Sequence, residues 1–298
     1  MTRAERRLDP FTIALARADL WPVALAGFLV RGGVVLFILP IVVVPSPLDV
    51  ANLFGPIVTA AALGGPNPAL VQLAIVAVVV AVVVIVTAFL LGALADVAVT
   101  TATADALGRP APPERRGVTI RAFAVRLLAL VPFALVLGGS IPAIVDAVYR
   151  ELISPTDLVT PLVVRVVLDV PALIGAVIVT WLLGEAIGGL ATRLVVRDGR
   201  SVRGALAGAL ALAARRPIAT LVAFAVGDLV LVALVAPALA ASGLVWRAVA
   251  FDLRLASDPL PVLLATLALV ALWLGGLVLA AFAATLRALL WTGAANAR

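Results

Sequence analysis

The chain has 298 residues, of which 64% are apolar and 13% charged, with a mean hydropathy of +1.23 and a net charge of +6. Soluble domains are about half apolar and a quarter charged, so this composition excludes a soluble protein and identifies an integral membrane protein. The absence of cysteine and histidine excludes disulfides, thiolate nucleophiles, Cys/His zinc sites and haem histidines, and with them the zinc-dependent and Ser/His intramembrane proteases.

In chain order, the N-terminal segment MTRAERRLDPFTIALARADLW is too charged, and too long before its first apolar run, for a cleaved signal. Residues 1 to 21 are therefore expected to form a retained cytoplasmic arm. A spanning helix needs about 20 mostly apolar residues. Six segments qualify, at about 22–44, 68–95, 127–146, 171–193, 217–240 and 261–286. The second, ALVQLAIVAVVVAVVVIVTAFLLGALA, reads as a strand by its valines. In hydrocarbon every backbone group must be paired within the segment, which makes it a helix. Residues 157–170, ahead of Pro171, read either as an external helix or as the outer part of the fourth span.

Every one of the 22 basic residues is arginine, a composition that points to a high-GC bacterial genome. Their placement sets the topology. The arm before span 1, the segments between spans 2 and 3 and between spans 4 and 5, and the C-terminus hold most of them; the alternate segments hold only Arg150, Arg165, Arg247 and Arg254. The positive-inside rule then places both termini in the cytoplasm, as six spans require, in a bacterial inner membrane. Arginines used in this way leave no basic stripe for a nucleic acid.

Three tandem hairpins are legible. The even spans share FLLG at Phe89–Gly92, WLLG at Trp181–Gly184 and WLGG at Trp273–Gly276, each followed by helix-compatible sequence running to Gly108, Gly199 and Gly293. The odd spans open with Pro22, Pro132 and Pro217, each after an apolar arm carrying arginines. Proline suits the first turn of a helix, so each marks a change from an amphipathic interfacial helix to a span. Such arms meet anionic lipid headgroups on the cytoplasmic side. The expected fold is all-α: one six-span membrane domain over residues 1–298, with interfacial helices between the hairpins.

Three ionisable residues fall inside the expected hydrocarbon: Arg31, Glu185 and Asp228. Each costs on the order of 2.5–3.5 kcal/mol at a helix centre, so each needs a partner or water. Their distances from the inner span ends are roughly 13, 12 and 16 Å respectively, one layer of the inner leaflet. This layer reads as an Arg31 ion pair with Glu185 or Asp228 that locks three spans, or as a polar site for an ion, proton or headgroup. Asp96 and Asp146, near span ends, are expected in solvent, and Arg165 with Asp169 as an outer-surface pair. Gly184 with Gly188 is a close-packing site. Trp21, Trp246 and Trp291 are expected in the interfacial belts, and Trp181 and Trp273 against the bundle.

No phosphate loop, dinucleotide fingerprint, nucleophile elbow or GxGD is present. No catalytic, cofactor or metal residue is assigned, and an enzyme is not expected. The stretches LGRPAPPERRGVTIRAFAVRLL at 107–128 and RDGRSVRGALAGALALAARRP at 197–217, each following a span that ends in small residues, resemble the six-helix membrane domain attached to some bacterial glycerophosphoryl diester phosphodiesterases. The resemblance implies a fold and a membrane address and carries over no catalytic residue. Two function classes follow: a non-catalytic scaffold or lipid-associated membrane component, or a transporter or lipid-handling permease using the Arg31, Glu185, Asp228 layer. Spans broken in mid-membrane, which transport would favour, are not evident in the sequence.

Overall fold

The computed structural model describes residues 9–41, 68–108, 116–154, 156, 157, 160, 162–254 and 259–296. The expected arm residues Arg3, Arg6 and Arg7, the first outer loop, and Arg109, Arg115 and Arg298 lie outside them. No strand occurs among the described residues, and six helical segments are long and apolar enough to cross a membrane. The protein is a polytopic all-α membrane protein.

Its helices are α1 (Pro10–Ala16), α2 (Trp21–Phe28), α3 (Val34–Ile38), α4 (Pro68–Ala106), α5 (Val118–Ala129), α6 (Val131–Ile153), α7 (Leu162–Asp169), α8 (Pro171–Asp198), α9 (Val202–Arg215), α10 (Pro217–Arg254) and α11 (Pro259–Asn296). The expected starts hold closely. Pro132 and Pro171 occupy first-turn positions, where proline has no hydrogen bond to lose.

The even spans run on as helix past 95, 193 and 286, as the helix-compatible sequence leading to Gly108 and Gly199 implies. α4 runs 39 residues and α11 runs 38, or roughly 57 Å at 1.5 Å per residue against a hydrocarbon thickness of about 30 Å. Gly108, with φ 69°, follows the last turn of α4, and Gly199, with φ 66°, closes α8. Glycine enters this left-handed conformation without a Cβ clash. Gly293, expected to play the same part, lies inside α11, which continues to Asn296.

The chain divides into two compact units. The first comprises Met1–Leu20, Asp96–Gly227 and Leu286–Arg298. At its centre is the inner end of α8, where every residue from Gly188 to Val196 is buried. A helix covered on all sides is enclosed by protein and does not face lipid. Around it α5 contributes Val125, α9 contributes Ala205 and Ala209, and α11 contributes Ala295. The arms are helices, as expected, but those of α5 and α9 each commit one face to this core. Ser201 caps α9 by accepting from the Gly204 N–H at 3.3 Å, and Arg121 Nη1 of α5 donates to the Gly199 carbonyl at 3.0 Å, fixing α5 to the turn after α8.

At the other end of this unit α7 is a helix separate from α8, broken from it at Val170. Residues 162–169 are thus a helix of their own and not a continuation of α8. Arg165 reaches Glu151 at 3.1 Å, and Asp169 reaches Arg150 at 2.8 Å. This replaces the expected Arg165–Asp169 pair, because α6 offers each residue an opposite charge across the turn. Asp146 remains exposed, 3.5 Å from Arg150.

The second unit comprises Trp21–Ala95 and Asp228–Thr285, with a core of Phe28, Phe37, Val235 and Ala280. Gly276 lets α11 approach closely: a Cβ there would lie 3.2 Å from Phe37 Cε1. Trp273 meets the Phe37 ring edge-on at 6.0 Å and donates its indole N–H to the Phe37 carbonyl at 3.1 Å. It is packed, as expected. Trp181, expected to be packed too, is 47% exposed.

Candidate functional site

The first unit contains a buried charge cluster built on α4, α5, α8 and α11. α5 has an apolar face at Ala122, Val125 and Ala129, and Arg126 shares it, four residues after Ala122 and three before Ala129. Residues at these spacings stack on one side of a helix. Docking of that face on α8 therefore carries the guanidinium inside. Two glycines of α8 permit the docking: a Cβ on Gly184 would lie 2.9 Å from the Ala129 carbonyl oxygen, and one on Gly188 would lie 3.2 Å from Arg126 Cδ. The expected close-packing pair is thus the seat of α5.

Buried in this way, Arg126 contacts two carboxylates. Its Nη2 and Nε lie 2.8 and 3.0 Å from Asp96 Oδ2, and its Nη1 lies 3.2 Å from Glu185 Oε2. The side chains of Arg126 and Asp96 are each 6% exposed and that of Glu185 18%. Arg287 of α11 adds a longer contact to Glu185 Oε2, at 3.9 Å. A guanidinium suits this role because its planar fork serves two acids at once and stays charged when desolvated.

Next to the cluster, Trp291 lies between two cations, with Arg193 and Arg287 at 5.1 and 5.0 Å from the ring centroid. Its ring rests against Gly189, where a Cβ would come within 1.6 Å of Cζ3. Arg193 donates to the Gly189 carbonyl at 2.8 Å and to Thr292 at 3.3 Å, and the Thr292 hydroxyl meets that of Thr103 at 3.0 Å. Two sequence expectations are corrected here. Asp96 is paired in the interior and not in solvent, and Trp291 is 4% exposed and belongs to no interfacial belt. Both sit on helical stretches past the expected span ends, where neighbouring protein replaces water.

The three residues of the expected polar layer are distributed as follows. Glu185 belongs to the first unit, beside Arg126 and Arg287. Arg31 and Asp228 belong to the second. Arg31 sits in a π turn, Leu29–Gly33, that interrupts the first span: its own φ and ψ are −82° and 17°, and those of Gly32 are 106° and −6°. Its Nε donates to the Gly27 carbonyl at 2.9 Å, and its Cγ would lie 3.3 Å from a Cβ on Gly92. The Val34 N–H reaches the Leu29 carbonyl across the widened turn. Such turns recur at functional positions. The first span is therefore discontinuous, contrary to the sequence expectation; the RGG run at 31–33 was the available signal.

A second feature lies at the arginine-rich end of the first unit. Arg197, Arg200, Arg215 and Arg216 line a cleft of about 440 Å³ between α8 and α9. Asp198 pairs with Arg197 at 2.6 Å and with Arg200 at 3.4 Å. Among the described residues, no group of three or more Asp and Glu side chains is arranged to hold a metal ion. No protein family, curated protein or solved structure matches this chain.

Proposed function

We propose that the protein is a non-catalytic component of a bacterial inner membrane, a scaffold or lipid-associated partner for an enzyme encoded elsewhere, with both termini cytoplasmic. The observation that carries this reading is the commitment of Glu185. The acid most eligible to bind a substrate within the bilayer is held by Arg126 and neighboured by Arg287 where two glycines clasp α5 to α8. Such a group fixes helices. The arginine distribution supports the orientation, and exposed Arg200, Arg215 and Arg216 suit contact with anionic headgroups. The lack of histidine and cysteine supports a non-catalytic role. Helix starts at or beside Pro22, Pro132 and Pro217 support the threefold hairpin arrangement, and the resemblance to the phosphodiesterase-attached membrane domain rests on the stretches at 107–128 and 197–217.

Breaking a buried ion pair by removing one partner costs about 3–5 kcal/mol, whereas replacing the whole group by apolar residues is often neutral. Arg126→Leu is thus expected to lower the thermal midpoint in detergent strongly, and Arg126→Leu with Asp96→Leu and Glu185→Leu to recover most of the loss. Equal stability of the single variant and the wild type would overturn the lock.

One observation favours a second reading, transport: the first span is broken at Arg31 and Gly32, as spans that carry an ion or substrate site often are. Proteoliposomes loaded with pH- and ion-sensitive dyes separate the two. Flux abolished by Arg31→Leu, with the fold retained, establishes transport; the scaffold reading expects no flux.

A further inference from the structure

We propose that the arginine cleft between α8 and α9 binds one molecule of anionic phospholipid, its phosphate among the guanidiniums and an acyl chain in the apolar groove beside them. The inference rests on the lipid-associated reading above and narrows it to one site. Arg197, Arg200, Arg215 and Arg216 line the cleft, and Asp198 beside it bridges Arg197 and Arg200. Arg215 and Arg216 are exposed and have no ion pair among the described residues. A solvated basic face needs no cavity. This one encloses about 440 Å³, within the range of about 300–1,000 Å³ usual for small-molecule sites. Guanidiniums favour phosphate, whose oxygens accept from the planar fork in pairs.

The groove next to the cleft points to a lipid. A second cleft of about 270 Å³ shares Leu212 and Arg216 with the first, and is otherwise lined by Ala219, Val222, Ala223, Leu290 and Ala294 together with Thr220. Its residues on α10 begin just after Pro217, where the fifth candidate span starts. From Arg216 to Val222 the helix rises roughly 9 Å. A charged opening therefore leads along the span into an apolar trough, the order in which a phospholipid presents headgroup and chain to a membrane protein.

The test is native mass spectrometry of the full chain in mild detergent, titrated with dioleoyl phosphatidylglycerol. One retained lipid is expected. Arg215→Gln with Arg216→Gln should weaken its binding at least tenfold, and Ala219→Trp, which fills the groove, by a similar factor. The control pair Arg116→Gln with Arg203→Gln removes as much exposed charge away from the cleft and should change binding less than twofold. Equal weakening by both charge pairs would show diffuse attraction and overturn the site. Displacement of the lipid by equimolar inorganic phosphate would overturn the lipid assignment in favour of a soluble anion. The broader reading fails separately, when phosphatidylglycerol raises the thermal midpoint of the wild type no more than dioleoyl phosphatidylcholine does.

Discussion

The sharpest constraint on any single residue is at Gly189. It faces the Cζ3 edge of an indole, so adding one methyl group cannot be accommodated without moving Trp291 off its two arginines. Overpacking of this kind costs about 1–3 kcal/mol. Gly189→Ala is expected to lower the thermal midpoint and to change tryptophan fluorescence. Gly138→Ala, where nothing lies within 4 Å of the new Cβ, should leave stability unchanged or raise it slightly through better helix propensity. Of the charged residues, Glu185 stood out in the sequence because a carboxylate in a long apolar run is costly. Arg126 did not, because arginine in a segment between spans already has an explanation in the positive-inside rule. Its helical phase with Ala122 and Ala129 carried the missing information. Asp96 was obscured in another way: an acid near the end of a span satisfies every hydropathy criterion by being wet.

Among the elements, the six spans were legible because the bilayer sets a length and forbids unpaired backbone groups. The inner ends were legible only where a glycine marks them, at Gly108 and Gly199 and not at Gly293. Once a helix leaves hydrocarbon, apolar length no longer marks its limit, and only contacts with other elements decide how far it runs. α8 makes the point, since its buried end from Gly188 to Val196 has charged and apolar residues on every side. The same contacts explain why the arms are more than lipid-surface helices. α9 buries Ala205 and Ala209 completely while Leu210 is 57% exposed. Ala209→Leu is accordingly expected to destabilise by about 1–3 kcal/mol, and Leu210→Gln to be neutral, both read by thermal unfolding in detergent. The opposite ranking would mean that α9 does not dock on α8.

For the whole molecule, the lack of cysteine offers a clean assay of orientation. Tyr149, 62% exposed near the end of α6, is proposed to face outward, and Ala207, exposed on α9, the cytoplasm. In intact cells a membrane-impermeant maleimide should label Tyr149→Cys and should reach Ala207→Cys only after permeabilisation. Reversed labelling would invert the topology while leaving every helix in place. Fold class was readable at this scale because composition alone decides between water and lipid as solvent. Role was not, because the groups that carry it are few and their partners are set by tertiary packing.

The π turn at Arg31 also bears on how the first span keeps its register. An α-helix advances by about 100° per residue, and a π turn absorbs one residue more than an α turn does. Val34–Ile38 therefore present a different face from the one an unbroken helix would give them. Removal of Gly32 should restore continuous α geometry and leave α3 in its present phase, whereas straightening the turn with every residue kept would rotate α3 by about 100° relative to α2. Phe37, 1% exposed under the Trp273 indole, keeps its seat in the first case and leaves it in the second. The turn thus works as a phase setting for the span, taking up one residue that a regular helix could not hold in register.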